Sequence, residues 1–377
     1  MQFLVKVRTS SRLSGPTAWP ILGSALLFSG STEDIYRNIM MIISTYSSPS
    51  RVWLGNRLFV FISKPQDLEI ILNNSKSMEK ENLYKFAEAV VGKGLFTASV
   101  EKWKRHRKII MPTFNQKILD TFMDVFVEQS NILAENLERY LNKGYFDIFE
   151  PISLCTLDII CETAMGIQVN AQNQDCKYVK LANIAMGIIF GRMFKMWHHF
   201  DFIFNMLPES KQLSESVKEL HAFTDTVIKQ KRVEVRERLK QEKNEDKIDN
   251  DDIKIPKRKA FLEMLLELSE QGTRFTDEEL REEVDTLMIA GSDTTASINS
   301  FTCVMLGAHP EVQEKAYEEI VEVVGGTNGT ITTECLSKLQ YLERVIKETM
   351  RLFPVGPAIV RAITDDLKLE SCTKTPN

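Results

Sequence analysis

Apolar residues recur at helical spacing along most of this 377-residue chain. The helical pattern runs from about residue 100 to 242 and resumes at 260, after a charged stretch (241–259) that predicts a loop. Two runs near the N-terminus, 51–55 and 57–63, favour strands, and Gly55-Asn56 between them predicts a β-hairpin. The predicted helices cover 32–44, a short stretch from 65, 100–111, 115–142, 151–166, 176–192, 211–241, 260–271, 277–308, 310–324 and 337–353. We therefore expect a mainly α fold with a small β element near each end.

The composition is that of an ordinary globular protein. Hydrophobic residues make up 43% of the sequence and charged residues 26%, so we interpret residues 1–377 as a single domain. The net charge of −5 argues against general nucleic-acid binding. The six cysteines form no C-x-x-C pair and no cluster with zinc spacing, which predicts reduced thiols and no metal ligands among them. No stretch reaches the length of a membrane-spanning helix.

The predicted helix 277–308 carries polar residues in its middle. Thr276 and Glu279 form a T-x-x-E capping box at its start, so the helix boundary is well specified. Gly291 costs about 1 kcal/mol relative to alanine in a helix, and the four residues 292–295 compete for backbone hydrogen bonds. Such a local conflict indicates a functional site. The alternative is a glycine kink in a core helix whose threonines bond back to the preceding turn.

Two further residue pairs have helical spacing. Glu348 and Arg351 lie three residues apart, and Trp103 and Arg107 lie four residues apart in a basic run. Each pair alone has an ordinary explanation. An exposed ion pair contributes only a few tenths of a kcal/mol, and basic residues at helical spacing usually form a solvated face.

Taken together, these motifs resemble those of the cytochrome P-450 family. DTLMIAGSDTTAS at 285–297 is similar to the family's oxygen-binding helix, and ETMR at 348–351 to its Glu-x-x-Arg motif. SLCTLDIICETAMG at 153–166 resembles a helix of the fatty-acid-hydroxylase clan, which is abundant in insects. The resemblance extends from about residue 15 to 370. It implies the P-450 fold and a haem-dependent monooxygenase that inserts one oxygen atom into an apolar small molecule, whether fatty-acid-like, hormone-like or xenobiotic.

The resemblance implies catalytic roles for Asp293 and Thr294. A hydroxyl at Thr294 can hold water and donate a proton, and a carboxylate at Asp293 can relay protons from solvent. The small residues Ala290 and Gly291 would leave room for dioxygen beside the cofactor. Some hydroxylases of the clan have a glutamate at the position of Ala290 that forms an ester with the haem. Alanine excludes such a link here.

The resemblance also implies how the haem would be held. Trp103, Arg107 and Arg361 would bind its propionates, since a guanidinium fork and an indole N–H both suit a carboxylate. Glu348 and Arg351 would form a buried structural pair. The iron itself would be held by a cysteine in a Phe-x-x-Gly-x-Arg-x-Cys-x-Gly loop.

No such loop precedes Asn377, and Cys372 lacks the flanking residues of one. We therefore expect a chain shortened before the cysteine loop and lacking the N-terminal anchor of microsomal members. The implied partners are an apolar substrate and an NADPH-dependent flavoprotein reductase, at the cytosolic face of the endoplasmic reticulum membrane in peripheral contact with it. The alternatives are an inactive fragment or splice form without haem, and an unrelated helical scaffold with chance motifs.

Overall fold

The fold was examined in a computed structural model, which describes residues 13–245, 260–270, 275–326 and 329–372. The mainly α prediction is confirmed. The two strands are β1 (Ser50–Leu54) and β2 (Arg57–Phe61). The longer helices are α1 (Thr32–Thr45), α2 (Pro65–Leu72), α3 (Val100–Ile110), α4 (Met123–Glu138), α5 (Phe149–Ile160), α6 (Tyr178–Phe194), α7 (Pro208–Glu245), α8 (Phe261–Glu270), α9 (Asp277–Ala308), α10 (Pro310–Val324), α11 (Thr333–Lys338) and α12 (Gln340–Leu352).

Short helical turns connect these elements. Three are α-helical turns, at Glu88–Val91, Gln116–Leu119 and Asp201–Phe204. The 3-10 turns lie at Ala25–Phe28, Ser75–Ser77, Asn82–Ala87, Met111–Phe114, Asp120–Phe122, Met196–His199 and Glu370–Cys372. A π-helical turn, Cys161–Met165, extends α5 and ends at Gly166, whose φ of 68° places it in the left-handed region that favours glycine.

Several predicted boundaries need correction. The predicted helix 115–142 is interrupted by the 3-10 turn Asp120–Phe122. The predicted helix 337–353 starts at Gln340, because Leu339 has a non-helical ψ of 66° and separates it from α11. Among the predicted ranges 277–308 is the longest, whereas in the structure α7 has 38 residues and α9 has 32. Most of the predicted loop 241–259 lies outside the described residues, and 241–245 belong to α7.

The described residues divide into two compact units. One comprises the described parts of 1–90, 183–218 and 360–377. Its core is a cluster of buried apolar side chains from the N-terminal helices and the hairpin, Ala25, Phe28, Ile35, Ile42, Val52 and Leu54. The hairpin is antiparallel, with Ser50 opposite Phe61, and Gly55 makes its turn at a φ of 61°.

The β element expected near the C-terminus is reduced to one bridge among the described residues. Arg361 pairs with Lys80 in an isolated antiparallel bridge, and the Ala362 N–H donates to the Glu79 carbonyl at 2.8 Å. Both contacts lie within the first unit.

The other unit comprises 91–182 and the described parts of 219–359. Here α9 packs along α5 and contacts α8 and α12. Its core side chains include Leu157, Leu262, Leu265, Leu266, Leu280, Val284, Met288 and Ala296, which are all buried. The capping box of α9 is present as predicted: the Thr276 hydroxyl accepts from the Glu279 N–H, and the Glu279 carboxylate accepts from the Thr276 N–H.

Among the described residues, no helix has both the length and the apolar character needed to cross a membrane.

Candidate functional site

Gly291 in the middle of α9 lies in close contact with α5. A Cβ added at Gly291 would lie 2.7 Å from Cδ1 of Ile160. On the same side, the Thr156 hydroxyl of α5 donates to the Ser292 carbonyl at 3.0 Å. Close packing against α5 therefore accounts for a glycine at position 291.

Ala290 and Thr294 lie one turn apart on the exposed side of α9. Ser297, Phe301 and Val304 continue the same helical face, and the Phe301 ring is 40% exposed and stacks on Phe353 at 4.7 Å. We call Ala290, Thr294, Ser297, Phe301 and Val304 the open face of α9. It offers a methyl group and two hydroxyls beside larger apolar side chains.

The hydroxyls in the middle of α9 bond back to the preceding turn. Thr294 Oγ1 donates to the Ala290 carbonyl at 2.6 Å, and Thr295 Oγ1 donates to the Gly291 carbonyl at 2.9 Å. This is the arrangement of the structural alternative considered from the sequence. A threonine hydroxyl can still accept a hydrogen bond while it donates one, so Thr294 retains the capacity to hold a water.

Asp293 is half-buried beside Thr294. Burial raises the pKa of its carboxyl above the ordinary value, because desolvation disfavours the charged form. A carboxyl that binds its proton more tightly than usual is better suited to pass protons near neutral pH.

Trp103 and Arg107 are brought together on α3. The Arg107 guanidinium carbon lies 4.9 Å from the centre of the Trp103 ring, in a cation–π contact. Arg107 is exposed and Trp103 is half-buried. The stacked guanidinium thus has a defined orientation and remains accessible to an acidic ligand.

Other residues of α3 contact α9, which the sequence analysis did not foresee. Lys102 Nζ lies 2.6 Å from Glu282 Oε2, and Arg105 pairs with Glu279. Buried His106 contacts Glu283 through Nδ1 at 2.7 Å. The basic run is therefore solvated only in part. The basic residues of α3 and the acidic residues near the start of α9 are complementary in charge, but nothing in the sequence pattern pairs these two helices.

The segment 92–97, which precedes α3 in the chain, also contacts α9. The Lys93 N–H donates to Glu282 Oε1 at 2.8 Å. Gly94 lies so close to α9 that an added Cβ would be 2.6 Å from the Glu282 carbonyl oxygen. Glycine is needed at this position because backbone meets backbone.

Glu348 and Arg351 are paired but exposed. Arg351 Nε and Nη2 donate to the two Glu348 oxygens at 2.8 and 2.6 Å. Their side chains are 56% and 67% exposed, so the burial implied by the resemblance is not found among the described residues. Hydrogen bonding from Arg351 lowers the pKa of Glu348, and solvent screens the pair.

Arg361 belongs to the other unit. It is half-buried, and its guanidinium donates to the Val360 carbonyl at 3.3 Å. Its assignment to a propionate stays a prediction.

No group of three or more His, Cys, Asp and Glu side chains within the described ranges is arranged to hold a metal ion.

The decisive comparison concerns the whole sequence. The sequence model of the family described as cytochrome P-450 matches residues 13–373. The chain belongs to the cytochrome P-450 family. An unrelated helical scaffold with chance motifs is thereby excluded.

Three relatives similar to this P-450 carry the number 4 in their names. It is 38% identical to cytochrome P-450 4V2 of Rattus norvegicus over 359 residues, which cover 93% of this chain and 67% of that protein. It is 37% identical to cytochrome P-450 4c3 of Drosophila melanogaster, over 96% of this chain and 69% of that protein. It is 36% identical to cytochrome P-450 4d2 of Drosophila melanogaster, over 97% of this chain and 74% of that protein. The chain is therefore a family-4-like P-450.

Another acidic residue of α9, Asp285, is buried two turns before Asp293. The Thr224 side chain is hydrogen-bonded to it, and His221 Nε2 and Arg281 Nε lie 3.7 and 3.6 Å from its Oδ2. These three neighbours lower the pKa of Asp285, but the desolvation caused by burial has the larger effect and raises it to about 6.

This pKa predicts how stability depends on pH. A carboxyl whose pKa is raised by folding stabilises the protein fully below the ordinary pKa of 3.8, and that contribution is lost as the pH rises through about 6. Asparagine does not titrate. We therefore expect the free energy of unfolding of the parent protein to fall by about 2 kcal/mol relative to Asp285→Asn between pH 4 and pH 7. Urea unfolding of both proteins across this range is the measurement.

Asp277→Asn provides a control of opposite sign. A hydrogen bond from Arg232 lowers the pKa of Asp277, so its contribution is present above the ordinary pKa and lost as the pH falls. Parallel stability curves for the parent protein and Asp285→Asn would contradict the prediction.

Proposed function

We propose that this protein is a haem-dependent monooxygenase that inserts one oxygen atom into an apolar, fatty-acid-like small molecule. The observation that carries the proposal is the open face of α9, where Ala290 and Thr294 are exposed beside half-buried Asp293 in a chain of the P-450 family. Similarity to family-4 relatives and to helices of the fatty-acid-hydroxylase clan supports the substrate class.

The residues described on α3 and α9 fit the ring and a propionate of a haem, and no described residue is assigned to its iron. Its macrocycle is flat and apolar, which suits the uncovered side chains of the open face, and its two carboxylates suit a stacked, accessible guanidinium. Trp103 and Arg107 would hold one propionate. When bound, haem supplies the redox chemistry that activates dioxygen, with electrons from a flavoprotein reductase.

The protein's own contribution is the delivery of protons. The Thr294 hydroxyl accepts a hydrogen bond from a water and keeps that water at the open face. Asp293, which retains its proton to a higher pH than an exposed aspartate, passes protons toward that water. Gly291 keeps α5 close behind this turn, so that the side chains at 290 and 294 project from a fixed backbone.

The proposal includes a location and an electron donor. We place the protein at the cytosolic face of the endoplasmic reticulum membrane, in peripheral contact with it, where an NADPH-dependent reductase is its partner. This part follows from family membership and is tested by fractionation of the expressed protein.

The direct test is an oxygen-labelling experiment on the full-length protein. The purified protein is combined with a P-450 reductase, NADPH and medium- or long-chain saturated fatty acids under ¹⁸O₂. We expect hydroxylated products that contain one ¹⁸O atom, detected by mass spectrometry, and none when NADPH is left out. A haem-loaded protein that labels no fatty acid would contradict the substrate class, and a protein that binds no haem would contradict the proposed function itself.

A further inference from the structure

His106 is the most completely buried polar residue of α3. Its side chain has no exposed surface, and its ring packs against Phe275 with 4.6 Å between centroids. Nδ1 lies 2.7 Å from Glu283 Oε1, and Nε2 lies 3.3 Å from Glu279 Oε1. Arg105 Nη2 lies 3.1 Å from Nε2, and because a guanidinium only donates, Nε2 accepts and Nδ1 is the donor to Glu283.

Glu283 has a second contact with the segment that leads into α3. Its side chain is 1% exposed, and its other oxygen, Oε2, accepts from the Leu95 N–H at 3.1 Å. Both oxygens of one buried carboxylate are therefore engaged, one by α3 and one by the backbone before it. A buried carboxylate that loses a partner is left with uncompensated polarity, which makes this arrangement hard to replace.

The neighbouring ion pairs between α3 and α9 are more exposed. The Lys102 side chain is 20% exposed and that of Arg105 is 55% exposed, so water and salt weaken their pairs with Glu282 and Glu279. The His106–Glu283 hydrogen bond is the shielded contact of the set, because both side chains are almost fully buried.

His106 also adjoins the two residues assigned to the cofactor. Arg107 follows it directly, and Trp103 lies three residues earlier on the same rigid helix. Successive helical residues project about 100° apart. A side chain at 106 that is fixed against α9 therefore determines the direction in which the stacked Trp103 and Arg107 project.

We propose that His106 and Glu283 are positioning residues, which hold α3 in the one register on α9 that presents Trp103 and Arg107 to a haem propionate. The inference rests on the proposed function. It adds residues that act through others and do not contact the cofactor themselves.

The test compares two substitutions of His106 in the full-length protein. In His106→Asn the side-chain amide can replace the Nδ1–H donor, whereas His106→Leu fills the site without a donor. We expect His106→Leu to release haem to an excess of apomyoglobin about tenfold faster than the parent protein. His106→Asn should restore most of the parent rate. Amide hydrogen exchange over 92–107 should accelerate in His106→Leu and much less in His106→Asn.

The control is Asp277→Asn, which breaks an ion pair between the same helix α9 and Arg232 of α7. It should leave haem release unchanged. If His106→Leu does not fold, Glu283→Gln tests the same hydrogen bond from the side of the acceptor, because glutamine keeps only one of the two acceptor oxygens.

Equal haem release from His106→Leu, His106→Asn and the parent protein would overturn this inference while leaving the proposed function intact. A parent protein that takes up no haem would overturn both.

Discussion

Thr294→Ala is expected to lower the hydroxylated product formed per NADPH on the order of tenfold. NADPH consumption should continue at a similar rate, because the substitution leaves the residues assigned to haem binding in place. NADPH, one proton and dioxygen would then give NADP⁺ and hydrogen peroxide. The physical reason is that Thr294 is proposed to supply the hydroxyl that holds a water on the open face of α9, and a methyl group cannot do so. The measurements are NADPH oxidation, hydrogen peroxide and product in the same reaction.

Thr295→Ala is the matched control. Its hydroxyl bonds back to the preceding turn in the same way as that of Thr294, yet it lies beyond the open face. The two variants lose the same group, and any effect of the lost back-bond on the helix is common to both. Unchanged coupling in Thr294→Ala, or equal uncoupling in both, would remove Thr294 from the proposed mechanism.

Arg107→Leu is expected to weaken haem affinity about 10- to 100-fold, the range for a hydrogen bond to a charged group. The guanidinium is stacked on Trp103 and accessible, so it is ready to engage a carboxylate without reorganisation. Arg107→Lys should be intermediate, because an ammonium keeps the charge but lacks the planar fork. Titration of the haem-free protein with haem, followed by absorbance, gives the dissociation constants.

Lys108→Leu is the control for charge. Lys108 is the next basic residue of α3 and is exposed. It should retain the parent affinity. Equal losses in Lys108→Leu and Arg107→Leu would indicate a general electrostatic effect and contradict the specific assignment of Arg107.

Local patterns predicted much of the fold. The capping box at Thr276 located the start of α9, and the turn at Gly55 located the hairpin, because both signals lie within a few residues of the feature they specify. Boundaries without such a signal were less accurate. Leu339 separates α11 from α12 through its backbone conformation alone, and nothing in the apolar spacing marks it.

The candidate site was predicted only in part, for the same reason. The pairing of Trp103 with Arg107 follows from their spacing of four residues. The contact between His106 and Glu283 joins residues 177 positions apart, a distance over which periodicity carries no information. Gly291 was interpreted as space for the cofactor, whereas its packing against Ile160 depends on a helix more than a hundred residues away.

Gly94 has a consequence for how this protein can diversify. Its backbone rests on that of α9, and even one methyl group there would separate the segment 92–97 from the helix that carries the proposed catalytic residues. Gly187 and Gly191 of α6 differ, since an added Cβ would meet no described atom within 4 Å. Substitutions at these two positions of α6 are therefore free of this steric constraint, whereas position 94 is restricted to glycine as long as the segment 92–97 keeps its contact with α9.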